Sequence, residues 1–332
     1  MNTKTIELIH GDGGKYTGEL IEKIFYKSFD NDILLENMDS ALFSLDKGKI
    51  AFTTDSFVVN PMFFRGGDIG KLAVCGTVND LTVCGAIPLY LSVGFIIEEG
   101  FPINKLQKIA ESMGNTCRQA NVKIVTGDTK VVPKGKIDGV FINTSGVGFV
   151  KGYVPKKIQS GDSIIITGTI GEHGTAIAVD RYNLKVKGNI ESDCAPLNYL
   201  LDYLQKYKDN IKLMKDPTRG GIGEILNEVS KKSKLGIHLL EKSIPIREEI
   251  EGINEMLGIN PLYLASEGRM ILVVENDVAE EIKEGLKKEG KCSNASIIGH
   301  FTNKEDFVYV ENAFGGKRLL GSLDTQMLPR IC

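Results

Sequence analysis

The chain lacks several patterns that would place it in a common class. Its six cysteines contain no CxxC pair, so the sequence supports neither a disulfide framework nor a zinc knuckle. No segment approaches the roughly eighteen apolar residues of a membrane span, and the first residues show neither the basic flank nor the apolar run of a signal peptide. These absences predict a cytoplasmic protein that does not associate with membranes.

Positive charge is not concentrated in any part of the sequence. The formal net charge is -3, and no basic stripe is present, which argues against a general nucleic-acid binder. A hydrophobic content of 42%, a charged content of 25% and 37 glycines are typical of a globular α/β protein with close backbone approaches. At 332 residues the chain is long enough for two domains.

Strand-like and helical patterns alternate along both halves of the chain. Predicted strands are Ile50–Thr54, Leu89–Ile97, Val122–Thr126, Val140–Val150, Ser163–Thr167, Gly236–Leu239, Arg269–Glu275 and Phe307–Val310. Predicted helices are an apolar one over Ile69–Val83, one from Pro102 to Asn121, one with a Leu197–Leu204 stripe and one from Asn276 to Gly290. The break at residues 152–155 predicts domains 1–151 and 152–320 and a mobile tail, 321–332.

The familiar nucleotide-binding fingerprints are also missing. Gly14-Lys15 is followed by Tyr16, and Gly70-Lys71 by Leu72, so neither is a Walker A loop. The glycines of residues 168–174 have the wrong spacing for a dinucleotide fingerprint and indicate a tight packing turn. His173, His238 and His300 lack metal-ligand spacing and are predicted to be structural or solvated.

Four aspartates require a common explanation. Asp55, Asp128 and Asp216 lie where strands are predicted to end or turns to begin, and Asp80 lies inside the apolar helix. One such aspartate would be an ordinary turn or cap residue. Together they match the oxygen ligands that magnesium prefers, with substrate phosphates completing the shell. The glycines of residues 10–15 and 220–221 would let backbone amides approach those phosphates.

The last four residues are Pro329-Arg330-Ile331-Cys332. Residues 321–332, if extended, would carry the Cys332 sulfur about 40 Å, at 3.3–3.6 Å per residue. The residues alone leave two interpretations open: a functional tail that presents a thiol, or an ordinary frayed end that finishes in cysteine.

The ordered motifs resemble the HypE family of hydrogenase maturation factors, the carbamoyl dehydratases. They are HGDGGK, FTTDS, GGDIGKLAVCGTVNDL, GAIP, VTGDTKVV, DPTRGG, ASEGRM and PRIC, and they run from His10 to Cys332. The acids and glycines alone indicate only the wider aminoimidazole ribonucleotide synthetase-like superfamily of ATP-using enzymes. The final PRIC selects the family.

The resemblance implies a two-domain α/β fold in which the N-terminal domains of two chains pair through a β-barrel, with ATP and magnesium near the dimer interface. It implies that a carbamoyltransferase, HypF, loads a carbamoyl group onto Cys332. ATP-dependent dehydration then converts the S-carboxamide to an S-cyanate. The cyanide passes through a HypC and HypD complex to the iron centre of [NiFe]-hydrogenase.

The same resemblance assigns roles to residues of this sequence. Glu267 would deprotonate the carboxamide on Cys332, and Lys130 would orient it. ATP would be bound by His10, Asp55, Asn79, Asp80, Asp128, Thr129, Asp216, Arg219, Gly220 and Gly221, with Asp55, Asp80, Asp128 and Asp216 holding magnesium. Asp12 departs from the small residue expected in the N-terminal flap and places the flap's contact with phosphate in question.

Two alternatives remain open from the sequence. One is a kinase of the same superfamily that phosphorylates a diffusible small molecule. The other is a maturation scaffold whose tail is only a docking peptide. The sequence also leaves open whether the tail enters the site of its own chain or that of a second copy.

Overall fold

A computed structural model of the protein describes residues 15–20, 22, 41–45, 48–153, 155–304, 307–324 and 327–332. The flap residues His10 to Gly14 therefore lie outside the described residues. Within these ranges, no helix has both the length and the apolarity needed to cross a bilayer.

The N-terminal half is built around a sheet of five described strands. Its elements are α1 (Lys15–Leu20), β1 (Ala41–Leu45), β2 (Gly48–Phe57), β3 (Phe63–Phe64), β4 (Gly67–Asp68), α2 (Ile69–Val83), β5 (Ala86–Glu98), α3 (Ile103–Ala120), β6 (Lys123–Val132) and β7 (Val140–Val150). The strand order is β1-β2-β7-β5-β6, and only β5 and β6 run parallel. Strands β3 and β4 pair separately.

The C-terminal half contains a sheet of seven described strands. Its elements are β8 (Ser163–Ile166), α4 (Glu172–Arg181), α5 (Leu201–Leu204), β9 (Ile211–Lys215), α6 (Gly221–Ser233), β10 (Gly236–Leu240), α7 (Glu248–Leu257), β11 (Ile271–Val274), α8 (Asn276–Leu286), β12 (Ser296–Thr302), β13 (Val308–Glu311) and β14 (Lys317–Leu319). The order is β14-β13-β10-β12-β8-β11-β9, with only β10 and β13 parallel.

Helix α2 lies directly on one face of the N-terminal sheet. Gly76 makes this possible, because a Cβ there would lie 2.8 Å from the Phe57 ring. The hydroxyls of Thr77 and Thr144 are 2.5 Å apart across the contact, and Thr144 also donates to the Ala73 carbonyl. Since almost every α2 residue is buried, the helix functions as a core element and carries little amphipathic pattern.

The opposite face of this sheet is exposed and carries a group of aromatic side chains. Phe52, Tyr90 and Phe149, on three neighbouring strands, are 43%, 51% and 42% exposed. Exposed aromatic residues clustered on one sheet face are typical of an interaction surface.

Several predicted elements need correction. Asp128 does not end a strand, because β6 continues to Val132 as it pairs with β5 over its whole length. The Leu197–Leu204 stripe is a single α turn between two 3₁₀ turns, although Leu197, Leu200 and Leu204 are buried as expected. The last helix ends at Leu286, and Gly290 begins a separate 3₁₀ turn.

Candidate functional site

Two of the predicted aspartates lie at the contact between strand β2 and helix α2. Asp55 faces the helix from β2, because alternate residues of that strand point to the covered face. Thr53, two residues earlier, donates from its hydroxyl to Asp80 Oδ2 at 2.8 Å. Burial raises the pKa of Asp55, although nearby Arg219 and the Ser56 amide oppose the shift. The carboxyl group of Asp80, on α2, is therefore hydrogen-bonded to Thr53 of the strand beneath the helix.

The DPTRGG segment forms the turn between β9 and α6. The amide of Gly221 donates to Thr218 O at 2.9 Å, and Gly220 is the N-cap residue of α6. Gly221 has φ +59°, and a Cβ there would lie 2.6 Å from the carbonyl oxygens of Leu262 and Leu264. Close packing thus explains this glycine without a phosphate, and Asp216 lies at the strand end as predicted.

Arg219 is the positive centre of the site. It stays accessible to solvent, yet its guanidinium group interacts electrostatically with Cys332, Asp55, Glu267 and Asp80. A guanidinium group is always protonated in proteins and presents planar donors suited to carboxylates and phosphates. The turn therefore places a permanent cation among the predicted acidic and thiol groups.

Glu267 lies in a tightly held loop before β11. Its amide donates to Asp193 Oδ1 at 3.1 Å, and its carbonyl accepts from Ala195 N at 3.3 Å. A Cβ on Gly268 would lie 1.9 Å from the Asp193 carbonyl oxygen, so only glycine fits there. Behind the loop, Asp193 Oδ2 lies 3.6 Å from Arg269. The loop geometry is thus fixed from both sides.

The Glu267 carboxyl group is buried without full pairing. The residue is 1% exposed, and its Oε1 has no hydrogen-bond partner among the described residues. Burial raises its pKa well above the usual range, and nearby Cys194 and Asp216 raise it further. A raised pKa lets a carboxyl group keep its proton at higher pH and makes its carboxylate a stronger base, which suits an acid–base catalyst.

Asn79 connects this loop to helix α2. Its side-chain amide donates to the carbonyls of Ala195 and Glu267 at 3.2 and 3.1 Å and accepts from the Leu197 amide at 2.8 Å. Asn79 is fully buried. Its role in this structure is to position Glu267, and the predicted contact with ATP stays a prediction.

The segment that ends in Cys332 docks on its own chain. Leu328 and Ile331 are 1% and 3% exposed, and the main chain of the tail bonds to the residue that follows β2, with Val58 N donating to Cys332 O at 3.3 Å. The half-buried Cys332 packs against the N-terminal core, and burial raises the pKa of its thiol to about 12, despite Arg219. The tail therefore carries Cys332 to Arg219 and Glu267, as one of the two interpretations requires.

Asp128, Thr129 and Lys130 do not join this cluster within one chain. Strand register places Asp128 in a row with Gly94, Asn143 and Ser56, on the exposed face of the sheet, whereas Asp55 faces helix α2. Asp128 and Ser56 stand at the two ends of this row, three strand spacings or about 14 Å apart. Lys130 Nζ instead bonds to Asp128 at 2.8 Å, which lowers the pKa of that exposed carboxyl group.

The described residues contain no group of three or more His, Cys, Asp or Glu side chains placed to hold a metal ion. Magnesium usually binds through one or two carboxylates and completes its shell with water and phosphate oxygens. Asp55 and Asp80 both interact with Arg219 on the covered face, and they suit such a partial site. Asp128 is not part of it in one chain.

Sequence reasoning missed two residues that hold the tail. Arg181 donates to the carbonyls of Pro329 and Arg330, and buried His173 contacts Ile331 O at 2.6 Å. His173 was expected to be structural or solvated and is structural. These residues are separated from the tail by about 150 positions, as the hydrogen-bond pairs show, and no local motif marks either of them.

Comparison with known proteins gives two matches to family models. The AIR synthase related protein N-terminal domain matches residues 37–150, and the C-terminal domain of the same family matches residues 159–311. The carbamoyl dehydratase HypE of Rhizobium leguminosarum bv. viciae is 45% identical over 98% of this chain and 95% of its own length. This chain belongs to the HypE carbamoyl dehydratase family.

Solved HypE structures have the same fold. One, a HypE–HypF complex, is 46% identical, covers 92% of this chain and 99% of its own, and has a TM-score of 0.87. Another, HypE in complex with ATP, is 41% identical, covers 99% of this chain and 100% of its own, and has a TM-score of 0.82. The two-domain α/β fold of the superfamily, expected from the motifs, is confirmed.

Proposed function

We propose that this chain catalyses the ATP-dependent dehydration of a carbamoyl group carried on its own Cys332, as a hydrogenase maturation enzyme. One observation supports this assignment above the others: the tail docks Cys332 beside Arg219 and the buried carboxyl group of Glu267. The names of the relatives, carbamoyl dehydratase HypE, agree with it.

The chemistry requires a phosphorylated oxygen and the removal of two protons. ATP, when bound with magnesium, supplies the phosphoryl group that turns the carboxamide oxygen into a leaving group. Glu267 accepts one proton from the carboxamide nitrogen, the second nitrogen proton is lost as the phosphorylated oxygen leaves as phosphate, and Arg219 stabilises negative charge beside the reacting carbon. The products are an S-cyanate on Cys332, ADP and phosphate. The family resemblance implies that magnesium is held by Asp55, Asp80, Asp128 and Asp216. Of these, Asp55 and Asp80 both interact with Arg219 in one chain and would hold it together with the phosphates.

Loading and dehydration place opposite demands on the tail. In the docked state, the raised pKa keeps the Cys332 thiol protonated, and a protonated thiol is a poor nucleophile. We therefore infer that a HypF-type carbamoyltransferase loads Cys332 while the tail is undocked. The solved complex of a related HypE with HypF supports this partner. HypC and HypD would receive the cyanide, as the resemblance implies.

A second copy of the chain would complete the nucleotide site. The exposed aromatic face of the N-terminal sheet is suited to pairing with its counterpart, and that face also presents Asp128 and Lys130. We propose that a homodimer, closed as a β-barrel through these sheets, brings Asp128, Thr129 and Lys130 of one chain to the ATP of its neighbour. Lys130 would then be able to reach the carboxamide.

Intact-mass measurement tests the reaction directly. After loading by the carbamoyltransferase, the wild-type chain should gain one carbamoyl group and then lose one water when ATP and magnesium are added. Glu267→Gln should be loaded but keep the water, whereas Cys332→Ser should not be loaded at all. A loaded wild-type chain that never loses water would contradict the proposal.

The same system separates the two alternatives. A small-molecule kinase should keep its product-forming activity when Ile331 and Cys332 are deleted, whereas the proposed dehydratase would lose its substrate. A scaffold needs no acid–base group, so the buried Glu267 disfavours that alternative. If Asp80→Asn left ATP hydrolysis unchanged, the assignment of the nucleotide site would be wrong.

A further inference from the structure

Two side chains of helix α4 bind the main chain of the docked tail. Arg181 donates from Nη1 to Pro329 O at 2.6 Å and from Nη2 to Arg330 O at 2.7 Å. Its Nε also donates to Asn60 O at 2.8 Å, so one guanidinium group joins the tail to the residues that follow β2. His173, two turns earlier on α4, contacts Ile331 O at 2.6 Å. Three consecutive tail carbonyls are therefore bound by two side chains.

The hydrogen-bond network assigns the protonation of His173. A carbonyl oxygen can only accept, so Nε2 must carry the proton that it donates to Ile331 O. Nδ1 then accepts from the Ser192 hydroxyl at 2.7 Å. Burial lowers the pKa of His173 to about 4, so the ring is neutral and in the donating form at physiological pH. The contact needs no charge on the histidine.

Arg330 shapes the tail between these contacts. Its backbone has φ +54°, a left-handed conformation that is uncommon for arginine. Its side chain donates to Val58 O at 3.0 Å and to Asp138 Oδ2 at 3.0 Å. Asn60 N donates to Arg330 O at 3.1 Å, so the tail pairs with residues 58–60 in an antiparallel manner. The bend orients the next residues towards the site.

We propose that Arg181 and His173 are positioning residues that hold the tail by its main-chain carbonyls and present Cys332 to Glu267 and Arg219. This inference rests on the proposed function. Because Arg181 and His173 bind main-chain carbonyls, recognition of the tail's sequence rests on the buried side chains of Leu328 and Ile331 and on the Arg330 side chain. A few hydrogen bonds, one ion pair and two buried apolar side chains form an attachment small enough to release for loading.

Alkylation of Cys332 tests the attachment without any enzyme assay. The free thiol of the full-length protein is treated with iodoacetamide, and the modified tail peptide is quantified by mass spectrometry. The other cysteines are buried. Removal of the two charge-assisted bonds in Arg181→Met should increase the alkylation rate about tenfold or more. His173→Phe and the tail variant Ile331→Ala should each increase it too.

Arg65→Met is the matched control. Among the described residues, the Arg65 side chain bonds to Asp180, which is at the same end of α4 as Arg181. None of its polar contacts there is with the tail. It should leave the alkylation rate unchanged. In single-turnover assays of carbamoylated protein, Arg181→Met should slow dehydration without changing the ATP concentration that gives half of the maximal rate. Arg65→Met should change neither the rate nor that concentration.

The outcomes separate this inference from the proposed function. If Arg181→Met and Ile331→Ala, both folded by thermal melting, are alkylated at the wild-type rate, the attachment does not hold the tail and the inference is wrong. If they are alkylated faster but wild-type protein never dehydrates its carbamoyl group, the attachment is supported and the proposed function is wrong. If the variants are alkylated faster but dehydrate at the wild-type rate, the attachment does not position Cys332. The claim that Arg181 and His173 present Cys332 to Glu267 and Arg219 would then be wrong.

Discussion

Replacing Glu267 by glutamine should make the protein more stable while abolishing dehydration. The buried carboxyl group has an Oε1 without a hydrogen-bond partner in the described residues, and its pKa is raised above the ordinary value of 4.5. A group whose pKa is raised by folding stabilises the folded state fully below its unfolded pKa. That contribution is lost as pH rises through the folded pKa. Glutamine resembles the protonated form at every pH.

The magnitude follows from proton linkage. Above pH 4.5, and until the folded pKa is reached, wild type loses about 1.4 kcal/mol of unfolding free energy per pH unit relative to the glutamine variant. Between pH 5 and pH 7 the difference should grow by up to about 3 kcal/mol. Urea denaturation of both proteins at pH 5, 6, 7 and 8 measures it, because all other titrating groups are common to the two.

Glu251→Gln provides the control, since Glu251 is exposed on α7 and should change the unfolding free energy by less than about 0.5 kcal/mol at any pH. The reasoning fails if the Glu267 variant is no more stable than wild type at pH 7, or if the difference does not shrink towards pH 5. Either result would mean that the carboxyl group is paired or hydrated when the protein is folded.

Three further predictions concern the packing around the site. Asn79→Ala removes three buried hydrogen bonds and should lower the unfolding free energy by about 3 kcal/mol in urea titrations; a loss below about 1 kcal/mol would contradict its bridging role. Gly221→Ala should lower the melting temperature more than Gly258→Ala, since both have positive φ but only Gly221 faces carbonyl oxygens at 2.6 Å. Stability should fall as pH drops from 6.5 towards 4, because His173 takes up a proton in the unfolded chain while the buried ring stays neutral, and His173→Gln should flatten this decline in urea titrations across that range.

The sequence was a good guide where the signal is local. The apolar run that contains Asp80 is a helix over the predicted residues, and the helix that ends at Asn121 closes with that residue at φ 52°. Both follow from periodicity and from the ability of asparagine to adopt a left-handed conformation. The turn of Asp216 likewise follows a short strand.

The sequence failed where the answer depends on register or on distant contacts. Nothing local shows that Asp128 and Asp55 lie on opposite faces of one sheet, because the face depends on how β6 pairs with β5. The loop that carries Glu267 is held by Asn79 and Asp193, which are far away in the chain. The docking of the tail depends on Arg181, which belongs to no recognisable motif.

Because the substrate group is attached to the tail, its concentration at the active site is set by the tail and not by the amount of protein in solution. Leu320 is buried and the Leu323 amide donates to Glu224 Oε2 at 3.1 Å, so fewer than a dozen residues connect Cys332 to the folded domain. A tether of this length fixes an effective concentration in the millimolar range, whatever the amount of protein present. The bound group cannot diffuse away between loading and dehydration, so a reactive product is confined to one molecule. Each chain can also carry only one such group at a time, because the tail offers one thiol.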